Sequence, residues 1–216
     1  MLPRQVQTLL ARIYDAPVDS DVSDFVITDP RLLPPGAFAD EHLLISHEGS
    51  TAKVSLYLAR DVLRRLRLRD PMRQLDVANL ADYWTVLEGV SHFQYLAWNA
   101  ARNRPVSLHE LEMQAEIDKY AATLFVLGEQ HAGRMPVRLH HWLFDRTRVD
   151  ARLEPQRRRL YESASRYAAR FCKLLEERFL GRGRVRCEAL VRELRAFYRL
   201  THAPKIRHIE AARLEA

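Results

Sequence analysis

Apolar residues recur at helical spacing through most of this chain, and alternate in only one short stretch near its start. Val6, Leu9, Leu10 and Ile13 predict an amphipathic helix over residues 4–15 that stops before Pro17. Residues 24–28 (Asp-Phe-Val-Ile-Thr) predict a short strand, and 42–46 with 52–58 flank His47-Glu48-Gly49-Ser50-Thr51 as two strands of a hairpin. A bare hairpin is marginal in water, so this sheet is expected to pack on the helices that follow. From Ala59 onward the pattern is helical, over about 59–68, 75–102, 107–130, 136–146, 154–180, 186–200 and 204–214. Asn103-Arg104-Pro105 ends one helix, and Ser107 with Glu110 three residues later fits a capping box opening the next. Residues 133–136 and 181–183 read as further turns.

These elements give an α+β chain, predominantly α: a helical bundle with a small N-terminal antiparallel β-sheet. At 216 residues and 47% hydrophobic, the chain is long enough for one sizeable core without a disulfide or metal staple. A single domain over 1–216 is expected, with 1–58 as helix plus sheet, 59–150 as central helices and 151–216 as basic C-terminal helices.

The central helices carry the candidate chemistry. Over 83–102, Tyr83, Val86, Leu87, Val90, Phe93, Leu96, Ala97, Trp98 and Ala100 occupy most of the circumference, so this helix is expected to be buried on nearly all sides. The remaining arc gathers Thr85, Glu88, His92 and Asn99, with Glu88 and His92 four apart and able to touch. On the next helix Glu112, Glu116, Lys119 and Thr123 form a polar stripe between two apolar flanks. The short connection from Asn103 to Ser107 makes the two helices antiparallel neighbours, so the stripes can face one another. Glu88, His92, Glu112 and Glu116 are then candidates for a divalent metal site or for acid–base catalysis. Glu112 and Glu116 repel at short range, so one must be neutral, paired with Lys119 or held by a cation. The plainer alternative is a solvent-facing seam of ordinary charge pairs.

Charge changes the picture in the last third. Residues 151–216 hold 17 Lys+Arg against 8 Asp+Glu, whereas residues 1–150 hold 17 against 20. Arg192, Arg195 and Arg199 form one ridge at spacings of three and four; Arg157 and Arg158 crowd a helix start, and Lys205 and Arg207 follow the last turn. The first functional expectation is a non-catalytic interaction or regulatory protein that binds an acidic protein partner or nucleic acid through these residues. The competing expectation is an enzyme or metal-binding protein centred on the Glu/His stripes, with a divalent metal as its cofactor.

Several classes find no support. There is no glycine-rich phosphate loop, no His-Glu-x-x-His, no Glu-x-x-His and no nucleophile elbow around Ser91. Two cysteines, Cys172 and Cys187, cannot make a thiolate cage and are expected to be reduced, helical and buried. The N-terminus lacks a signal-peptide pattern and no apolar run is long enough to span a bilayer, so a cytoplasmic location without membrane attachment is expected. An apolar seam on the first helix would suit a homo-oligomer. His47-Glu48 at the hairpin turn, His131 near a helix end and the pair His140-His141 near Asp145 have weaker claims, the last because adjacent helical residues point about 100° apart.

Overall fold

The computed structural model describes residues 1–34, 40–49, 51–132, 139–145, 154–180 and 187–211, and of residues 47, 48, 51, 52 and 187 the backbone only. In chain order the elements are α1 (Leu2–Tyr14), β1 (Val26–Ile27), β2 (Glu41–Glu48), β3 (Thr51–Leu58), α2 (Arg60–Leu68), α3 (Leu80–Ala100), α4 (Leu108–Gln130), α5 (Pro155–Phe179), α6 (Cys187–Arg199) and α7 (His202–Ala211), with two short 3-10 turns at Val22–Asp24 and Pro30–Leu32 and a π turn at His141–Asp145. The chain is predominantly helical with one small sheet. Among the described residues, no helix is long and apolar enough to cross a membrane.

The sheet is mixed rather than wholly antiparallel, with β3 in the middle. β2 and β3 form the expected hairpin, and their pairing runs on to Glu48↔Thr51, leaving two residues for the turn. Gly49 takes φ +60° there, a conformation that a side chain would strain. The departure is β1, which pairs parallel to β3 through Val26↔Leu56 and Ile27↔Tyr57. β2 runs opposite to both and carries the chain back, so β1 and β3 run the same way.

Helix α3 is enclosed because the sheet covers one side of it while α1, α2 and α4 pack around the rest. Gly89 makes the sheet's approach close: a Cβ there would lie 2.7 Å from Leu56 Cδ1 and 3.5 Å from Leu58 Cδ2. Leu56 and Leu58 are completely buried on that face, which is where the hairpin finds its support. Helix α4 lies between α3 and α5 and is buried along most of its length. One connected apolar core runs from Val6 and Leu10 through Leu56, Val90 and Tyr120 to Phe171, Phe197 and Ile209. Tyr14 and Tyr198 stack in it at 4.2 Å between ring centroids, as do Phe171 and Phe197 at 3.9 Å.

Several boundaries differ from the sequence pattern for local reasons. α3 starts at Leu80 rather than residue 75, because the Asp76 N–H is taken by Asn79 Oδ1 and the Ala78 N–H by Asp76 Oδ1, which holds 76–79 as a turn. Only half of the capping box forms at α4. Ser107 Oγ accepts from the Glu110 N–H at 3.2 Å, but the Glu110 carboxylate turns inward to accept from Tyr95 Oη at 2.6 Å. Cys172 is free and buried in α5; the side chain of Cys187 lies outside the described residues.

Candidate metal centre

Three elements bring six ionisable side chains together. α3 supplies Glu88 and His92 from adjacent turns of one face, α4 supplies Glu112, Glu116 and Lys119, and β2 supplies Glu41 from its first position. The antiparallel packing of α3 on α4 sets the two stripes face to face, and the Trp84 indole donates to Thr123 Oγ1 at 2.9 Å beside them. Ligand atoms of Glu88, His92 and Glu112 all lie within 4.8 Å of one another.

The imidazole is held between two carboxyls. His92 Nδ1 lies 3.9 Å from Glu41 Oε2, and Nε2 lies 3.4 Å from Glu112 Oε2. Neither contact makes a hydrogen bond to Nε2, which is buried and unpartnered, as are Glu41 Oε2 and Glu116 Oε2. Beside them Lys119 bridges the two helices: its Nζ donates to Glu88 Oε2 at 2.9 Å and to Glu116 Oε1 at 2.8 Å. Only 8% of the Lys119 side chain and 6% of the His92 side chain reach solvent. The solvent-facing seam that the sequence also allowed is therefore not what forms.

Burial and the local surplus of negative charge distort the titration of every member that responds. Burial pushes the Glu41 carboxyl up to about 8, against the opposing pull of His92. For His92 burial works against the charged ring, but Glu112, Glu41 and Glu88 together outweigh it and lift the imidazole to about 9. Glu116 is raised by burial, with Lys119 only partly offsetting it. In Glu88 the burial penalty is overcome by Lys119 and His92, and the carboxyl sits below its ordinary range. Lys119 is likewise held protonated, because Glu116 and Glu88 outweigh its desolvation. Four carboxyls share this space with one ammonium and one imidazole, so without a further cation the surplus is relieved by protons.

Glu41 is the member that sequence reasoning missed. The pattern placed the strand at 42–46, one residue late, and no motif marks a lone glutamate at a strand start. The available signal is the two-residue strand period: Glu41 shares its face with Leu43, whose partner Leu56 packs against α3, so a carboxylate stands at an inward position. Asn99, read as part of the α3 stripe, does not join the site. It is buried two turns beyond His92 and donates to the Tyr95 carbonyl at 2.8 Å. Thr85 also bonds within its own helix, to the Ala81 carbonyl.

The basic ridge is placed differently from the sequence expectation. Arg195 donates from Nε to the Ile13 carbonyl and from Nη2 to the Arg12 carbonyl, both at 3.0 Å. Arg199 reaches the Tyr14 and Asp15 carbonyls at the same distance. These are the unsatisfied carbonyls at the end of α1, where cations complement the helix dipole, so both side chains are committed to the fold. Lys205 is a plain correction. It is wholly buried, donates to Tyr95 Oη at 2.8 Å and to Gln114 Oε1 at 2.5 Å, and is not available to a surface partner. Arg157, Arg158, Arg192 and Arg207 are exposed, with Arg158 bonded to Glu162 at 3.0 Å.

The remaining histidines stand apart. His140 faces the Ala169 carbonyl at 2.8 Å and His141 faces Asp145 at 2.6 Å, so the adjacent pair diverges as helical geometry requires. His131 ends α4 as its C-cap. The side chains of His47 and Glu48 lie outside the described residues. Among known proteins, no family model, no curated relative and no solved structure matches this chain.

Proposed function

We propose that this chain is a divalent-metal-binding protein whose ion is held by Glu88, His92 and Glu112 between α3 and α4. The observation that carries the reading is the His92 Nε2 atom: buried, without a hydrogen bond, and facing a carboxylate oxygen at 3.4 Å. A buried imidazole nitrogen in a carboxylate cluster ordinarily finds a hydrogen-bond partner or a metal. The other ring nitrogen points towards Glu41, the arrangement in which an outer carboxylate fixes the tautomer and orientation of a ligating histidine. Carboxylates with one imidazole and no thiolate suit manganese, ferrous iron or zinc better than a soft ion such as Cu(I). Three protein ligands leave coordination positions for water, the arrangement from which metal-assisted chemistry starts.

The test is the metal content of the purified full chain by mass spectrometry, repeated on the double variant Glu88→Gln, Glu112→Gln. Near-stoichiometric metal that disappears in the variant is expected. A wild-type chain that neither carries nor takes up a divalent ion would sink the reading.

An interaction surface for nucleic acid or an acidic protein keeps a narrower footing, in the exposed Arg157, Arg158, Arg192 and Arg207. If these residues grip phosphates, binding to duplex DNA should fall steeply between 50 and 200 mM salt, as counterion release requires.

A further inference from the structure

We propose that Glu88 and Glu116 form a second cation subsite, filled by the Lys119 ammonium, and that this lysine limits the centre to one divalent ion. The inference rests on the reading of Glu88, His92 and Glu112 as a metal centre. The Lys119 Nζ sits between two carboxylates from different helices, 2.9 Å from Glu88 Oε2 and 2.8 Å from Glu116 Oε1. Glu88 belongs to both halves of the cluster: one oxygen receives the ammonium, and a carboxylate has a second oxygen for an ion. That is the role of a bridging ligand in a two-metal site, where the ions stand about 3.5–4 Å apart.

Glu116 adds the second observation. Its Oε1 is bound to the ammonium, while Oε2 is buried and unpartnered. A single positive charge with three donors thus stands where the surrounding oxygens offer more than it uses. An ammonium contributes one charge at this position; a divalent ion would contribute two and take up the idle oxygen. The fold fixes the lysine there, since Lys119 follows Glu116 by three residues on α4 and its side chain is only 8% exposed. Removing the charge while keeping the volume leaves two partly buried carboxylates without their ammonium, a state that recruits a cation from solution.

The experiment is equilibrium dialysis of the full chain against Mn2+, with the bound metal counted and its paramagnetic resonance spectrum recorded. The wild type is expected to hold one ion with an isolated-Mn2+ spectrum, and Lys119→Met two ions with an exchange-coupled spectrum. Lys119→Met should also be less heat-stable than the wild type without Mn2+ and recover most of the difference when it is added. Should that variant fail to fold, Lys119→Gln carries the same expectation of two, because it too removes the charge while its amide can still donate to one carboxylate and support the fold; it is to be refolded with and without Mn2+. One ion in the neutral variants, or two in the wild type, overturns the inference while leaving the metal centre standing. No ion in the wild type overturns the underlying reading instead, and the neutral variants then read the Glu88–Glu116 subsite by itself.

Discussion

Arg199 and Tyr14 lie 185 residues apart in the chain, yet the Arg199 guanidinium donates to the Tyr14 carbonyl at 3.0 Å and closes the end of α1. Arg195 does the same one turn earlier through Ile13 and Arg12. Charge-assisted bonds to otherwise idle helix carbonyls stabilise, by about 1–2 kcal/mol after discounting for their partial exposure. Arg195→Ala and Arg199→Ala should each lower the urea-unfolding free energy by about that amount. Arg192→Ala, exposed on the same ridge, should stay within about 0.5 kcal/mol of the wild type.

Gly89 tests how closely the sheet must approach α3. Alanine favours a helix over glycine by about 1 kcal/mol, but its Cβ would press on Leu56 Cδ1 at 2.7 Å and on Glu41 Oε2 at 3.0 Å. Leu56 is fully buried and has little room to yield. The overpacking cost of about 1–3 kcal/mol should win. Gly89→Ala is expected to lose stability in chemical denaturation and, by displacing Glu41, to weaken metal retention measured by dialysis.

Lys205 gives the chain a pH dependence of definite sign. Burial lowers its ammonium to about 7, against the pull of Glu110 and Asp118, whereas in the unfolded chain it titrates near 10.5. Between those values the unfolded state binds the extra proton, so stability rises with pH from about 7 towards 10.5, and below 7 this contribution stays at its lowest. Subtracting the stability profile of Lys205→Met from that of the wild type should isolate a rise across this window. A flat difference would show that the ammonium is not penalised.

Tyr95 joins the two ends of the same network, donating to Glu110 at 2.6 Å and accepting from Lys205 at 2.8 Å. Tyr95→Phe preserves the ring but takes the donor from the buried Glu110 carboxylate and one of two side-chain acceptors from the buried Lys205 amine. A loss of about 1–3 kcal/mol is expected by thermal or urea unfolding. Metal content should not change, since Tyr95 makes no contact with Glu88, His92 or Glu112 in the bonds it forms.

Much of the centre was legible in residue spacing. Glu88 and His92 fall on one face because they are four apart, and Glu112, Glu116 and Lys119 do so by the same rule. The short Asn103–Ser107 connection then obliges the two helices to run antiparallel. Burial was not legible in the same way, because a polar stripe on an otherwise apolar helix fits both a wet seam and a dry site. Docking of β2 and β3 on Gly89 closes the seam, and that contact joins residues more than thirty positions apart. The arginine ridge shows the converse: its spacing was legible, but not that Arg195 and Arg199 meet the carbonyls at the end of α1 while Arg192 stays exposed.

The sequence by itself determined the helices, the hairpin and which side chains share a face, since these follow from periods of 3.6 and 2 along a single segment. Tertiary structure alone decided that Glu41 joins His92, that Lys119 is spent on Glu88 and Glu116, and that Lys205 is buried while Arg207 is not. The physical reason is that burial and ion pairing depend on which faces meet. Local propensity ranks the conformations of one segment, whereas the energy of a charged group is set by neighbours that the fold brings from distant parts of the chain.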